Sequence, residues 1–286
     1  MTAALNELPL ALFTTLASIG AGAFIALACA FFTSKLNEEQ LARTDKMALI
    51  PAIVVIVGFI AAFFHLANPA GAFGVFAGIG RSPMSNEILG GVLFAIVMVV
   101  YVIMGLAGKH TEGSRKVLSA VLAALAVVFA ILMGLAYSID TIPTWNSPWP
   151  IAQVIGFALI GGTALGMLVL ALSGALQDAL EGSFKGVAIA LAALGCALAV
   201  IGLAFMASSA GALANAVVTG SALLGGIMVC LIVSIVCLVL AFGSVLMATR
   251  NASATWPAIA TILALAGILA GRFVFYALQI SVGISF

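Results

Sequence analysis

His65 and Glu87 flank one loop between two long apolar stretches, and they are the pair whose types and spacing could do chemistry. An ionisable group at the edge of hydrocarbon is costly unless partnered or wetted, so such a group is read first as functional. A neutral imidazole, with an unperturbed pKa of about 6.5, takes up a proton near neutrality, and a neighbouring carboxylate can relay it to water. The pair therefore points to proton-coupled chemistry on a hydrophobic substrate. Arg272, in the last apolar stretch, lies about 22 Å from the inner end of its helix at 1.5 Å per residue, which is a similar depth. With Asp140 at the end of the fourth stretch, these side chains suit one polar pocket. In it Arg272 would polarise a substrate oxygen, or hold Glu87 or Asp140 ionised. Each residue also has a plainer reading. His65 would bond a backbone carbonyl at the membrane surface, Glu87 would sit in the first turn of a helix capped by Ser85, and Arg272 would snorkel outward.

The elements that must position these residues are helices in a bilayer. Of 286 residues, 65% are hydrophobic and 7% charged, which excludes a soluble globular domain. A helix needs about 20 apolar residues to cross lipid with its backbone hydrogen bonds kept internal. Spans are expected near Pro9–Thr33, Met47–Leu66, Ile88–Ala107, Val117–Ile139, Ile151–Ala175, Gly186–Ala207, Ala222–Ala248 and Pro257–Ser281. The fold class is thus an all-α integral membrane protein of eight transmembrane helices. The longest connection, Ala67 to Glu87, is too short for a soluble core of its own. One polytopic domain over residues 1–286 is expected, divisible into four-helix halves at 1–139 and 151–286, with no repeat relating them.

Lys and Arg counted over short loops set the orientation. Connections after spans one, three, five and seven carry Lys35, Arg43, Lys46, Lys109, Arg115, Lys116, Lys185 and Arg250, eight of the ten basic residues. Arg81 alone falls in loops on the other face. Both termini are therefore expected on the outer, extracytoplasmic face of a multi-pass inner or plasma membrane protein. The first span follows Glu7 without the basic leader of a cleaved signal peptide, and is expected to be retained.

Two outer loops, His65 to Glu87 and Ser138 to Pro150, mix Pro, aromatic and polar groups and are poor in Lys and Glu. Such composition suits a docking surface for a protein partner, with Pro143, Trp145 and Trp149 as its contacts; the alternative for both tryptophans is an interfacial belt. The two histidines, His65 and His110, belong to opposite faces and cannot share a haem iron. Cys29, Cys196, Cys230 and Cys237 lie in spans without Cys-x-x-Cys spacing, so no metal is expected on this chain. Gly162 with Gly166, and Gly267 with Gly271, have the spacing that lets helices approach closely.

Over essentially its full length the chain resembles the membrane anchor subunit of the DMSO reductase family (DmsC-like). The resemblance rests on His65-Leu66 followed by Pro69 and Ala72-Phe73, then Ser85-Asn86-Glu87, Ser138 through Trp145, Gly271-Arg272 and Phe275-Tyr276. It implies an eight-helix protein that binds menaquinol and carries no haem. Its implied partners are an electron-transfer subunit with four iron–sulfur clusters and a catalytic subunit with a molybdenum cofactor, working in anaerobic respiration. The positions of His65 and Glu87 are associated in the family with quinol binding and oxidation. The acceptor, DMSO or another oxidised compound, is set by the molybdenum subunit. Competing readings are a secondary transporter, whose charges would gather at the midplane, and a structural anchor without a quinol site.

Reporter fusions after Lys46, Lys116 and Lys185 are expected to read as cytoplasmic, and fusions after Gly78 and Ser147 as external. An external signal at Lys116 would reverse the orientation.

Overall fold

A computed structural model describes residues 6–65 and 69–281. Leu66, part of the expected second span and of the family-like segment, lies outside the described residues. Eight helical spans among them are long and apolar enough to cross a membrane. Helix α1 is Leu8–Thr33; the second span is built from α2, Glu38–Met47, continued by α3, Leu49–Phe63. A 3-10 helix, Pro69–Gly78, leads to α4, Pro83–Leu106, and α5, Glu112–Leu135. Then come α6 (Trp149–Leu172), the short α7 (Leu176–Glu181), α8 (Phe184–Gly211), α9 (Gly220–Ala248) and α10 (Thr255–Ala277).

Every expected span is present, with ends that differ for identifiable reasons. The second starts at Glu38 because Asn37 and Gln40 form a reciprocal capping box. Pro51 has no N–H to offer Met47, which accounts for the interruption at Ala48. The third span starts at Pro83, where proline is well tolerated in a first turn, and its N-cap is Ser82, whose hydroxyl accepts from the Ser85 amide at 3.4 Å. Ser85 is therefore inside the helix, and is not its cap.

Helices α1 and α6 form the centre and are buried nearly all round. Lipid gives no hydrophobic drive to join helices, so close backbone approach and dispersion must hold them together. A Cβ added at Gly162 would overlap the backbone of Gly22, and one at Gly166 would come within 2.6 Å of Ala26 Cβ. At the second small-residue pair, a Cβ at Gly267 would come within 3.1 Å of Ser234 O on α9. Around the central pair, α3 and α5 pack on α1, α8 and α10 on α6, and α4 on α5. Helix α9 rests mainly on α10 and α8 and leaves much of its surface exposed.

The end carrying the basic residues is tied by a buried polar cluster. Asp45, 2% exposed, accepts from Tyr101 Oη on α4 at 2.7 Å and from Arg115 Nε on α5 at 2.9 Å. Thr44 donates to Ser173 Oγ at 2.8 Å, joining this cluster to the end of α6. His110 lies here too, its Nε2 3.0 Å from Tyr101 O, at the opposite end of the bundle from His65.

Removing one member of a buried ion pair strands the other charge, at a cost of about 3–5 kcal/mol, whereas apolar replacement of both is often nearly neutral. Asp45→Ala and Arg115→Ala are each expected to lower the thermal midpoint in detergent sharply. Asp45→Leu with Arg115→Met and Tyr101→Phe, which leaves no member of the cluster unpaired, is expected to recover most of the loss, and equal additive losses would contradict this.

Candidate functional site

Glu87 and His65 reach the same cavity from different helices. The Gly80 amide donates to Asn86 Oδ1 at 2.7 Å, with Gly80 at φ +81°, a conformation that glycine adopts without penalty. That contact ties the incoming loop to the start of α4, and puts Glu87 in the second turn facing inward. Glu87 is 9% exposed, and its Oε1 has no hydrogen-bond partner among the described residues. It is therefore not a capping charge at a helix terminus. A buried carboxylate oxygen without a partner is costly, and such an atom calls for an occupant or a water.

His65 follows the last turn of α3, its amide donating to Ala62 O at 3.0 Å. The side chain is half-exposed, with Nε2 3.6 Å from Glu7 Oε2, at the start of α1. That distance is too long for a good hydrogen bond, and it sets the carboxylate beside the ring.

Between these groups lies a cavity of about 710 Å³. Its walls are mostly aromatic and aliphatic, among them Phe13, Phe59, Phe76, Met84, Ile88 and Phe129. Its polar groups are Glu7, His65, Glu87, Tyr137, Trp145, Tyr276 and Gln279. A concave, apolar site with a few convergent polar atoms is the usual form of a small-molecule site, and this volume suits a fused-ring ligand.

Tyr137 and Tyr276 share a hydrogen bond between their hydroxyls, one just beyond α5 and the other on α10. Burial, reinforced by the neighbouring Tyr276, pushes the Tyr137 phenol well above its ordinary range, so it remains a protonated donor. Arg272 stands behind them, fully buried, with its guanidinium 4.1 Å from the Phe275 ring centroid and Nη2 donating to Tyr276 Oη at 3.0 Å. Its Nε and Nη1 have no partner among the described residues. Stacking on Tyr137, Phe275 and Tyr276 compensates part of the desolvation. Arg272 therefore does not snorkel, nor does it line the cavity. It touches the site through Tyr276 and Tyr137.

Several expected site residues are placed differently. Asp140 is exposed and accepts from Asn146 Nδ2 at 2.8 Å, away from the pocket, because the turn after α5 directs it outward. Trp145 is 6% exposed rather than offered to a partner; its ring stacks at 9° on Phe275, and Nε1 donates to Phe275 O at 3.1 Å. This indole forms a wall of the cavity. Trp149 is half-buried and stacks on Phe205, while Pro143, earlier in the same loop, is also half-buried. Glu7, Tyr137 and Gln279 were missed as site residues. Glu7 precedes a span at the same face as His65, which is a detectable signal; nothing local marks Tyr137 or Gln279.

An eight-span bundle with an aromatic-walled, polar-tipped cavity at one end defines a polytopic membrane subunit able to hold a hydrophobic ligand. The sequence model described as DMSO reductase anchor subunit (DmsC) matches residues 1–278, and the chain belongs to that family. The resemblance read from the His65, Glu87, Trp145 and Arg272 segments is thereby borne out, and the transporter reading gives way. Relatives include the C subunit of the anaerobic dimethyl sulfoxide reductase of Escherichia coli (strain K12), 32% identical over 170 residues, 59% of this chain and 59% of that protein. The YnfH subunit of anaerobic dimethyl sulfoxide reductase from the same organism is 28% identical over 165 residues, 58% of each protein. The corresponding C subunit of Haemophilus influenzae (strain ATCC 51907 / DSM 11121 / KW20 / Rd) is 28% identical over 170 residues, covering 59% of this chain and 61% of that protein. The alignments thus span less than two thirds of these relatives.

Trp145→Ala is expected to destabilise the protein by about 3–5 kcal/mol, the cost of deleting a buried Trp or Phe ring. Trp145→Phe keeps the stack and loses only the bond to Phe275 O. A drop in thermal midpoint that is large for Ala and small for Phe checks the buried placement; no change for either would restore the docking reading.

Proposed function

We propose that this chain is the quinol-oxidising membrane anchor of a molybdoenzyme reductase, taking electrons from menaquinol and passing them to an iron–sulfur subunit. The observation that carries this reading is the aromatic-walled cavity that brings His65 and Glu87 together. Oxidation of a quinol releases two electrons and two protons, so two proton acceptors must face the two ring hydroxyls. His65 accepts the first proton. Glu7, whose Oε2 lies 3.6 Å from His65 Nε2, passes the proton to water, since it is the more exposed of the two carboxylates. Glu87 accepts from the other hydroxyl at the buried side. In this division of labour Glu7 takes over the outward relay that sequence alone assigns to Glu87.

The electrons leave to an iron–sulfur subunit docked at the cavity end, and from there to a molybdenum-cofactor subunit that reduces DMSO or a related acceptor. Trp149 and Pro143, each half-buried, remain available for contacts at that end, and Trp145 serves as a wall of the cavity. The cavity end faces the outside and the basic end the cytoplasm of the inner or plasma membrane, as the Lys and Arg distribution favours. Membership of the family supports the anchoring role, and the polar tips of the cavity support the chemistry.

Arg is a permanent cation that cannot take the quinol proton, so His65→Arg is expected to abolish quinol-dependent turnover. Glu87→Gln keeps the shape but removes the acceptor of the second proton, a change expected to cost about 1.5–3 kcal/mol, or a roughly ten- to hundred-fold loss of rate. Glu7→Gln is expected to lower the rate less, because it removes the outward relay and leaves both groups that face the quinol hydroxyls in place. All three are expected to keep full activity with an artificial reductant that feeds the soluble subunits directly. Normal quinol turnover in His65→Arg would leave a structural anchor as the better reading.

A further inference from the structure

We infer that Tyr137 donates a hydrogen bond to the ring oxygen served by Glu87, and that Tyr276 and Arg272 orient that donor from behind. This rests on the quinol reading and specifies the inner half of the same site.

The argument is a count of protons and lone pairs. Tyr137 and Tyr276 bring two hydroxyl protons between them, and their mutual hydrogen bond uses one. Arg272 Nη2 donates into the Tyr276 oxygen, so that oxygen is already an acceptor. The arrangement in which every bond runs the same way is Arg272 to Tyr276 to Tyr137, because a hydroxyl that accepts from a cation becomes the stronger donor. The second proton then sits on Tyr137, and among the described residues nothing accepts it. Tyr137 lines the cavity, as does Glu87, whose Oε1 is also without a partner. A donor and an acceptor left open in one cavity fit one hydroxyl group, which gives its proton to the carboxylate and accepts from the phenol.

Chemistry gives the arrangement its use. When that hydroxyl is oxidised, its oxygen becomes a carbonyl that can only accept hydrogen bonds, and Tyr137 keeps its bond throughout. Negative charge building on the oxygen as the proton leaves is met by a donor already in place, the arrangement by which preorganised dipoles lower barriers. The Arg272 charge is felt by both Tyr137 and Glu87, so it bears on the donor and the acceptor of the same hydroxyl. Its own position, caged by Phe275 and the two tyrosines, keeps it from pairing directly with Glu87. No ion pair links the two among the described residues. Tyr137 is thus the residue that touches substrate, whereas Tyr276 and Arg272 are positioning residues.

The test measures equilibrium binding of a radiolabelled short-chain 1,4-naphthoquinone to the full-length protein in lipid nanodiscs, for the unsubstituted protein, Tyr137→Phe, Tyr276→Phe and the double variant. Tyr137→Phe is expected to weaken binding about tenfold, the scale of one hydrogen bond at a buried site. Tyr276→Phe is expected to cost less, and the double variant no more than Tyr137→Phe alone, because Tyr276 acts through Tyr137; contacting residues that share a role are non-additive in this way. A purely structural pair would instead lower the thermal midpoint and leave the affinity ratios additive. Unchanged affinity in Tyr137→Phe, or additive losses, would overturn the inference while leaving the quinol reading intact. Should Tyr137→Phe fail to fold, unchanged affinity in Tyr276→Phe overturns it equally. If the unsubstituted protein takes up no naphthoquinone, the quinol reading falls and this inference with it.

Discussion

The contact between α1 and α6 is the constraint from which the rest of the architecture follows. Side chains larger than hydrogen at Gly22 or Gly162 would force the two backbones apart, and every helix packed on either one would have to move. In water a bundle can be held by burying its apolar stripe, but lipid tails are as apolar as leucine, so the favourable terms are close packing and internal polar bonds. Two helices in near backbone contact provide the first. They also place their neighbours: α3 and α5 are carried by α1, α10 by α6, and the cavity lies among α1, α3, α4, α5 and α10 at one end.

Polar bonds are then divided between the two ends according to what each end has to do. At the basic end Asp45, Arg115 and Tyr101 satisfy one another with ordinary hydrogen-bond lengths, and the result is a closed cluster linking three spans. At the other end Glu87 and Arg272 both retain unpaired atoms. The cost that the Asp45–Arg115 pair avoids is accepted by the charged groups at the second end. Buried charged groups left short of partners are frequent where a ligand completes them; the basic end leaves His110 Nδ1 without a partner, but its ion pair is complete.

Much of this was legible in the sequence, and for physical reasons. Hydrocarbon imposes a length and a composition on every span, so the eight helices could be counted from apolar runs, and Gly162 and Gly166 marked where helices meet. His65 and Glu87 stood out because charges are rare in such a protein. What could not be read was direction around a helix and the layering behind the first wall. Asp140 shares the depth of the site but points away, a matter of the turn following α5 that depth alone does not encode. Trp145 carries the composition of a docking residue, yet the stack on Phe275 turns it inward. Arg272 was placed at the right depth and in the wrong layer. Tyr137 was invisible because a tyrosine at a helix end is the commonest of interfacial residues, and only its partner on α10, distant in sequence, distinguishes it. The interruption at Ala48 was missed because Pro51 lies within a run that is apolar on both sides.

The side of the cavity adds a consequence. Phe63, Met84 and Ile139 border it and are themselves substantially exposed, so among the described residues its rim runs into the apolar outer surface of α3 and α4. A ligand on the proposed reading therefore enters sideways, from the plane of the bilayer. Its supply is governed by how many molecules share the surrounding lipid, and diluting the membrane with extra phospholipid would slow the protein even at constant total concentration in the flask. Saturation is then a property of a two-dimensional solution, in which the natural measure of affinity is a mole fraction. The long apolar tail of such a ligand need never leave hydrocarbon, and the selectivity of the site falls on the ring that reaches the polar tips.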